Sequence, residues 1–288
     1  MKVGFIGLGI MGLPMAKNMV KSGFNLVVYN RSMKPVKELN AIGVEAGSSP
    51  RDVAMKCDIL ITMLPDSPDV QEVVLGKGGV IEGVKPGMIL IDMSTISPKV
   101  SVEISEVLAE SGVEMLDAPV SGGQKGAIEG SLSIMVVGKK KIFEKCMPVF
   151  KSIGKTIVLV GGNGAGETVK LCNQVICAIN IVSMCEGMSL CRRAGVDVEK
   201  MIEVVNGGLG ASNIIANLAP KILEGDMAPG FKLRLQQKDL RLALQLAEEL
   251  NFSMPVTGLT NQIFRIAEGK GLGEKGTQAL IEAYNLLE

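Results

Sequence analysis

The chain contains no histidine. Every mechanism that turns on an imidazole is thereby excluded: Ser-His-Asp hydrolysis, Cys-His proteolysis, a histidine general base, histidine-ligated zinc or haem. Tryptophan is absent, and tyrosine occurs only at Tyr29 and Tyr284. Proton chemistry therefore falls to Lys, Asp, Glu, Cys or one of two tyrosines. Net charge is missing as well, because 30 basic side chains balance 30 acidic ones. A nucleic-acid surface needs a basic excess to hold phosphates, so no nucleic-acid partner is expected. No run of about 18 apolar residues stands out, so no membrane span is expected. Six cysteines (Cys57, Cys146, Cys172, Cys177, Cys185 and Cys191) show no Cys-x-x-Cys spacing. They read as free buried thiols of a reducing cytosol, and no metal site is expected. Met1–Gly7 begins a strand at once and lacks a secretory-signal layout, which also points to the cytoplasm.

The 288 residues suggest two domains at about 150 residues each. In the first half, short aliphatic runs alternate with amphipathic stretches. Lys2–Ile6, Leu26–Tyr29, Ile59–Leu64, Met88–Met93, Val113–Asp117, Leu132–Val137 and Thr156–Val160 read as strands buried on both faces. Helical stretches fall between them, at Met11–Ser22, Pro35–Ala41, Pro50–Lys56, Val70–Leu75, Pro98–Ser111 and Lys140–Ser152. This alternation predicts an α/β domain with a doubly wound Rossmann sheet over residues 1–162. The breaker cluster Gly161-Gly162-Asn163-Gly164 closes it. Residues 163–288 read as an all-α domain that opens with an unusually long helix over 165–194 and ends with one over 276–287.

Gly7-Leu8-Gly9-Ile10-Met11-Gly12 has the G-x-G-x-x-G spacing, follows a strand and opens a helix. In that context the glycines allow a tight turn, close approach of a pyrophosphate, and close packing of helix on sheet. The helix start then offers N–H groups to phosphate. The next strand runs into Asn30-Arg31-Ser32, where an NAD-preferring site normally carries an acid. Asn30 has no charge to repel a 2′-phosphate, and Arg31 and Ser32 supply a cation and a hydroxyl, so NADP(H) is the expected cofactor. Met63-Leu64-Pro65 and Thr95 end two further strands and face the same region in a doubly wound sheet.

Ser121-Gly122-Gly123 presents one hydroxyl and unhindered N–H groups, suited to a substrate carboxylate; Gly126 and Gly130 read as extending a flexible turn. On the long helix, Lys170, Asn173 and Gln174 share one face, with Asn180 returning to it, among mostly apolar neighbours. Buried polar groups need partners, which makes Lys170 the candidate general acid, its amine desolvated toward a working pKa. Lys238 and Asp239, with Phe231 upstream, read either as site residues or as an ordinary surface pair.

Together these segments resemble the β-hydroxyacid dehydrogenase family, from one end of the chain to the other. The resemblance rests on Gly4–Gly12, on Asp117-Ala118-Pro119-Val120-Ser121-Gly122-Gly123, on Gly164-x-Gly166-x-x-x-Lys170-x-x-Asn173 and on Lys238-Asp239-Leu240. It implies a catalytic Lys170 oriented by Asn173, and substrate held by Ser121, Gly122 and Gly123 with Phe231 and Asp239 along the pocket. It implies that Thr95 and Lys238 contact cofactor, and that the chain forms homodimers or homotetramers through its helical domain. Within the family, Asn30-Arg31-Ser32 and Phe231 look most like the glyoxylate/succinic semialdehyde reductase branch. That branch implies NADPH-dependent reduction of small aldehyde acids. An NAD-dependent 3-hydroxyisobutyrate dehydrogenase or a tartronate semialdehyde reductase is the alternative within the family. A non-catalytic cofactor-sensing or chromatin-associated module is the alternative outside enzymes; retention of Lys170 and the neutral charge oppose it. One segment departs from a common family pattern: where many members read Gly-x-Gly-x-x-Asp-x-Ser-Ala, Gly276 and Gln278 stand in place of Asp and Ser.

Overall fold

The computed structural model describes residues 1–162 and 164–285, the last by its backbone. Asn163 of the expected breaker cluster, and Leu286 and Leu287 of the expected last helix, lie outside the described residues. The chain forms two compact units, Met1–Lys170 and Leu171–Glu288.

In the first unit nine strands are described: β1 (Lys2–Ile6), β2 (Asn25–Tyr29), β3 (Glu45–Ala46), β4 (Ile59–Thr62), β5 (Ile89–Asp92), β6 (Glu114–Asp117), β7 (Val120–Ser121), β8 (Leu132–Val137) and β9 (Gly154–Gly161). They form one sheet in the order β3-β2-β1-β4-β5-β6-β8-β7, with β9 also on β8. The order from β3 to β6 is that of a doubly wound nucleotide-binding sheet, and those six strands are parallel. Beyond β6 the sheet is mixed: β8 is antiparallel to β6 and to β7, and β9 is parallel to β8. Strands β3 and β7, of two residues each, carry no readable period.

The helices of this unit are α1 (Gly12–Lys21), α2 (Met33–Asn40), α3 (Pro50–Met55), α4 (Ser67–Leu75), α5 (Pro98–Glu110), α6 (Gly123–Glu129) and α7 (Lys140–Lys151). Alternate strand residues feed two cores. Val3, Phe5, Ile59, Ile61, Ile89 and Ile91 pack with Met15 and Met19 of α1 and Phe150 of α7. Ile6, Leu60 and Leu90 pack on the other face with Val53, Val70, Val74, Ile104 and Leu108. Burial on both faces is why these strands read as continuous apolar runs.

The second unit is helical: α8 (Ala165–Arg193), which begins before the unit boundary, then α9 (Val198–Asn206), α10 (Asn213–Leu223), α11 (Leu233–Glu249), α12 (Pro255–Ala267) and α13 (Ile281–Asn285). By length and composition alone α8 is long and apolar enough to cross a membrane, with a mean hydropathy of 1.5 over its best window, although polar residues interrupt its apolar run. Its Ala178, Ile181, Met184, Cys185 and Met188 lie in the core of the helical unit, as a core helix requires. The cysteine expectation is corrected in part. All six are free thiols, but Cys172 is exposed and Cys177 half-buried, because both lie off the core-facing stripe of α8.

Candidate active site

The glycine loop sits where β1 ends and α1 begins. Gly7 has φ +99°, and a Cβ there would lie 2.2 Å from the Met63 carbonyl oxygen. A Cβ on Gly12 would lie 1.9 Å from the Gly7 carbonyl oxygen, so that position needs glycine for the fold itself. Gly9 differs: it is exposed, and nothing lies within 4 Å of its Cβ position. Only open space faces Gly9, and α1 has no side-chain cap on its first N–H groups. Open space beside uncapped amides fits a pyrophosphate.

Hydrogen bonds join this loop to the neighbouring strand ends. The Gly7 N–H donates to the Tyr29 carbonyl and the Met63 N–H to the Ile6 carbonyl. The Leu8 N–H donates to Asn30 Oδ1 at 2.9 Å, and Asn30 Nδ2 donates to the Ser32 carbonyl at 2.9 Å. Asn30 is thus a brace between the glycine loop and the Arg31-Ser32 turn, whose side chains are exposed. The Leu64 N–H donates to Ser94 Oγ, and Ser94 Oγ donates to Asp92 Oδ1 at 2.6 Å. Met63, Leu64 and Thr95 are half-buried and Pro65 exposed beside these strand ends. The carboxyl edge of the sheet therefore gathers Gly7–Gly12, Asn30–Ser32, Met63–Pro65 and Thr95.

Ser121 ends β7, and Gly122 (φ +136°) stands at the N-cap position just before α6, which has no side-chain cap. The expected flexible turn is wrong here: Gly126 lies buried inside α6, whose Gly126 N–H donates to the Gly122 carbonyl. Glycines at 122, 123, 126 and 130 hid this short helix because they carry no hydrophobic period.

Lys170, 6% exposed, lies one turn before Asn173 on α8. In the helical unit Asn173 Nδ2 donates to Gln174 Oε1 at 2.9 Å, and Gln174 Nε2 donates to Asp239 Oδ2 at 2.6 Å. Gln236 Nε2 donates to the Gln174 carbonyl, and Lys238 Nζ pairs with Asp239 Oδ1 at 2.8 Å. The Lys238–Asp239 pair is buried, so the surface alternative fails. Gln236, 1% exposed, went unnoticed in the sequence; a glutamine two residues before a buried Lys-Asp pair on α11 was the available signal. Phe231 is half-buried two residues before α11.

Three thiols and one tyrosine hydroxyl are weak proton donors. Burial pushes the Cys57 and Cys185 thiols up to about 12 and Cys146 up to about 11. Burial and Glu186 hold the Tyr284 hydroxyl above its ordinary value. No group of His, Cys, Asp or Glu among the described residues is arranged to hold a metal.

Known proteins match both units. Residues 2–162 match the NAD binding domain of 6-phosphogluconate dehydrogenase, and residues 164–284 match the "NAD-binding of NADP-dependent 3-hydroxyisobutyrate dehydrogenase" family. The chain is 40% identical to 2-hydroxy-3-oxopropionate reductase of Escherichia coli, over 100% of this chain and 98% of that one. It is 36% identical to glyoxylate/succinic semialdehyde reductase 1 of Arabidopsis thaliana, over 98% of each chain. A crystal structure of 3-hydroxyisobutyrate dehydrogenase from Salmonella typhimurium superposes with a TM-score of 0.90 at 30% identity, covering 98% of this chain and 99% of that one. A Rossmann sheet, a helical unit and end-to-end similarity to these enzymes place the chain in the β-hydroxyacid dehydrogenase family of nicotinamide-dependent oxidoreductases.

Proposed function

We propose that the chain reduces small aldehyde acids with NADPH, glyoxylate to glycolate and succinic semialdehyde to 4-hydroxybutyrate. The observation that carries this reading is a buried amine, Lys170, one turn from Asn173 on an apolar helix in a chain without histidine. Nicotinamide supplies the hydride when bound. Lys170 donates a proton to the carbonyl oxygen as negative charge develops there, and solvent restores it. Aldehyde, hydride and proton then sum to the alcohol. Asn173 orients the Lys170 ammonium, its own Nδ2 tied to Gln174.

The Ser121 hydroxyl and the N–H groups of Gly122 and Gly123 hold the substrate carboxylate. Phe231 and Asp239 shape the pocket, and Lys238 and Thr95 contact cofactor. Gly7, Leu8, Gly9, Ile10, Met11 and Gly12 cradle the pyrophosphate, with Met63, Leu64 and Pro65 beside them. Asn30 holds the turn from which Arg31 and Ser32 reach the 2′-phosphate. Assembly as a homodimer or homotetramer belongs to the same reading.

Reduction of 2-hydroxy-3-oxopropionate is a second reading, favoured by the 40% identity to the Escherichia coli enzyme. It uses the same residues on a different aldehyde acid. One activity panel separates the two. Glyoxylate, succinic semialdehyde, 2-hydroxy-3-oxopropionate and methylmalonate semialdehyde are each assayed with NADPH and with NADH. Higher kcat/KM for the first two with NADPH supports the proposal. A preference for NADH, or for either of the other aldehydes, overturns it.

A further inference from the structure

Asp117 ends β6 and is 4% exposed. Its Oδ2 accepts from the Glu167 N–H at 3.3 Å, in the first turn of α8. First-turn N–H groups have no partner within their own helix, so a remote carboxyl group here acts as a cap. Gly166 lets the helix come this close. A Cβ there would lie 3.0 Å from Asp117 Oδ2 and 2.9 Å from the Met135 carbonyl oxygen of β8. One carboxyl group and one glycine thus seat the start of α8 on the sheet, and Lys170 follows Glu167 by three residues on the same helical face.

The surroundings of Asp117 disfavour its charge. Its Oδ1 is buried without a hydrogen-bond partner. Its register partner on β5 is Asp92, and on β8 Val137, which does not titrate. On Asp92, Oδ1 already collects Thr62 Oγ1, Ser94 Oγ and the Ser94 N–H. From α8 it meets the Glu167 backbone N–H, which favours the charged form. Burial, and after it the Asp92 carboxylate, push the Asp117 carboxyl up to about 7.

We propose that Asp117 is a positioning residue for Lys170: it accepts the Glu167 N–H, seats the first turn of α8, and so sets where the Lys170 amine stands. Burial and the Asp92 carboxylate favour its neutral form, while the Glu167 N–H favours the anion. The proposal rests on Lys170 being the general acid. Because the folded-state value lies above the ordinary 3.8, the stability this group contributes is full at low pH and is lost as pH rises through about 7.

The test uses full-length Asp117→Asn and Asp117→Ala, assayed with NADPH and the best aldehyde acid from about pH 5 to about pH 9. Asn keeps an acceptor and cannot ionise. Its kcat is expected within about twofold of wild type near pH 6, without the break near 7 expected of wild type. Ala is expected to lose about 10- to 100-fold in kcat with KM for NADPH unchanged, the scale of a misplacement of about 1 Å. Hydrogen exchange at the Glu167 amide gives a readout independent of activity: protected in wild type and Asn, faster in Ala. Equal kcat losses in Asn and Ala, superimposable pH profiles of wild type and Asn, or unchanged exchange in Ala each overturn the proposal. If Ala does not fold, the Asn pH profile decides. If Lys170→Ala keeps wild-type kcat, the general-acid reading fails by itself, while the exchange experiment still reports on the seat of α8.

Discussion

Gln278 occupies the space that a side chain on Gly276 would need. A Cβ on Gly276 would lie 2.3 Å from Gln278 Oε1 and 2.6 Å from its Cδ. The Gln278 Nε2 donates to the carbonyls of Asp226 and Ala228, and the Gly276 N–H donates to the Met227 carbonyl. The Thr277 N–H adds a bond to the Phe231 carbonyl. Two apparent departures from the family pattern are one device, in which glycine makes room for a glutamine that ties down the 226–231 loop.

That coupling is measurable by urea unfolding. Gln278→Ala removes the donor to two part-buried carbonyls and is expected to cost about 0.5–1.5 kcal/mol. Gly276→Ala is expected to cost a similar amount by displacing Gln278. The double variant should be less unstable than the sum by more than about 0.5 kcal/mol, because Gln278→Ala removes the three atoms nearest the new methyl. Additive costs would show that the two positions are independent.

The glycines of the first loop should separate by what they serve. Gly12→Ala must push against the Gly7 carbonyl and is expected to lower Tm. Gly9→Ala meets nothing in the protein and is expected to melt like wild type while binding NADPH more weakly, since the methyl occupies the proposed phosphate position. Wild-type NADPH affinity in Gly9→Ala, measured by fluorescence titration, would remove the loop from the cofactor site.

Arg31→Asp is expected to reverse cofactor preference. The side chain is exposed, so its replacement leaves the fold alone. The change removes a charge-assisted contact to the 2′-phosphate, worth about 1.5–3 kcal/mol or roughly 10- to 100-fold. It also adds an acid suited to ribose hydroxyls. An unchanged ratio of KM for NADPH and NADH would refute the placement of Arg31.

Lys170→Ala is expected to lower kcat by about 10²–10⁴-fold with NADPH binding nearly intact, because the ammonium acts on charge that develops in the transition state. Lys170→Arg separates proton donation from positive charge, since a guanidinium keeps its proton across the working range. If Arg retains more than about a tenth of wild-type kcat, Lys170 is an electrostatic anchor and water supplies the proton. If Ala is as fast as wild type, Lys238 becomes the residue to test.

Much of this was legible in one dimension because it is local. Lys2–Ile6 and Leu132–Val137 read correctly to the residue, since each is a short, mostly apolar run. The Gly7–Gly12 loop is legible because its three glycines act within six positions. The absence of histidine and the amide stripe on α8 make Lys170 a candidate proton donor from the sequence alone. What the tertiary structure decided concerns groups distant in sequence. That β8 turns antiparallel, that Asn30 braces Leu8, that Asp117 meets the start of α8 fifty residues on, and that Gln278 fills the place of a Gly276 side chain are all set by packing. Periodicity and spacing report which face of an element is apolar, but not which partner a buried polar group finds. That choice is made only when distant segments are brought within hydrogen-bonding distance and every buried donor must be satisfied.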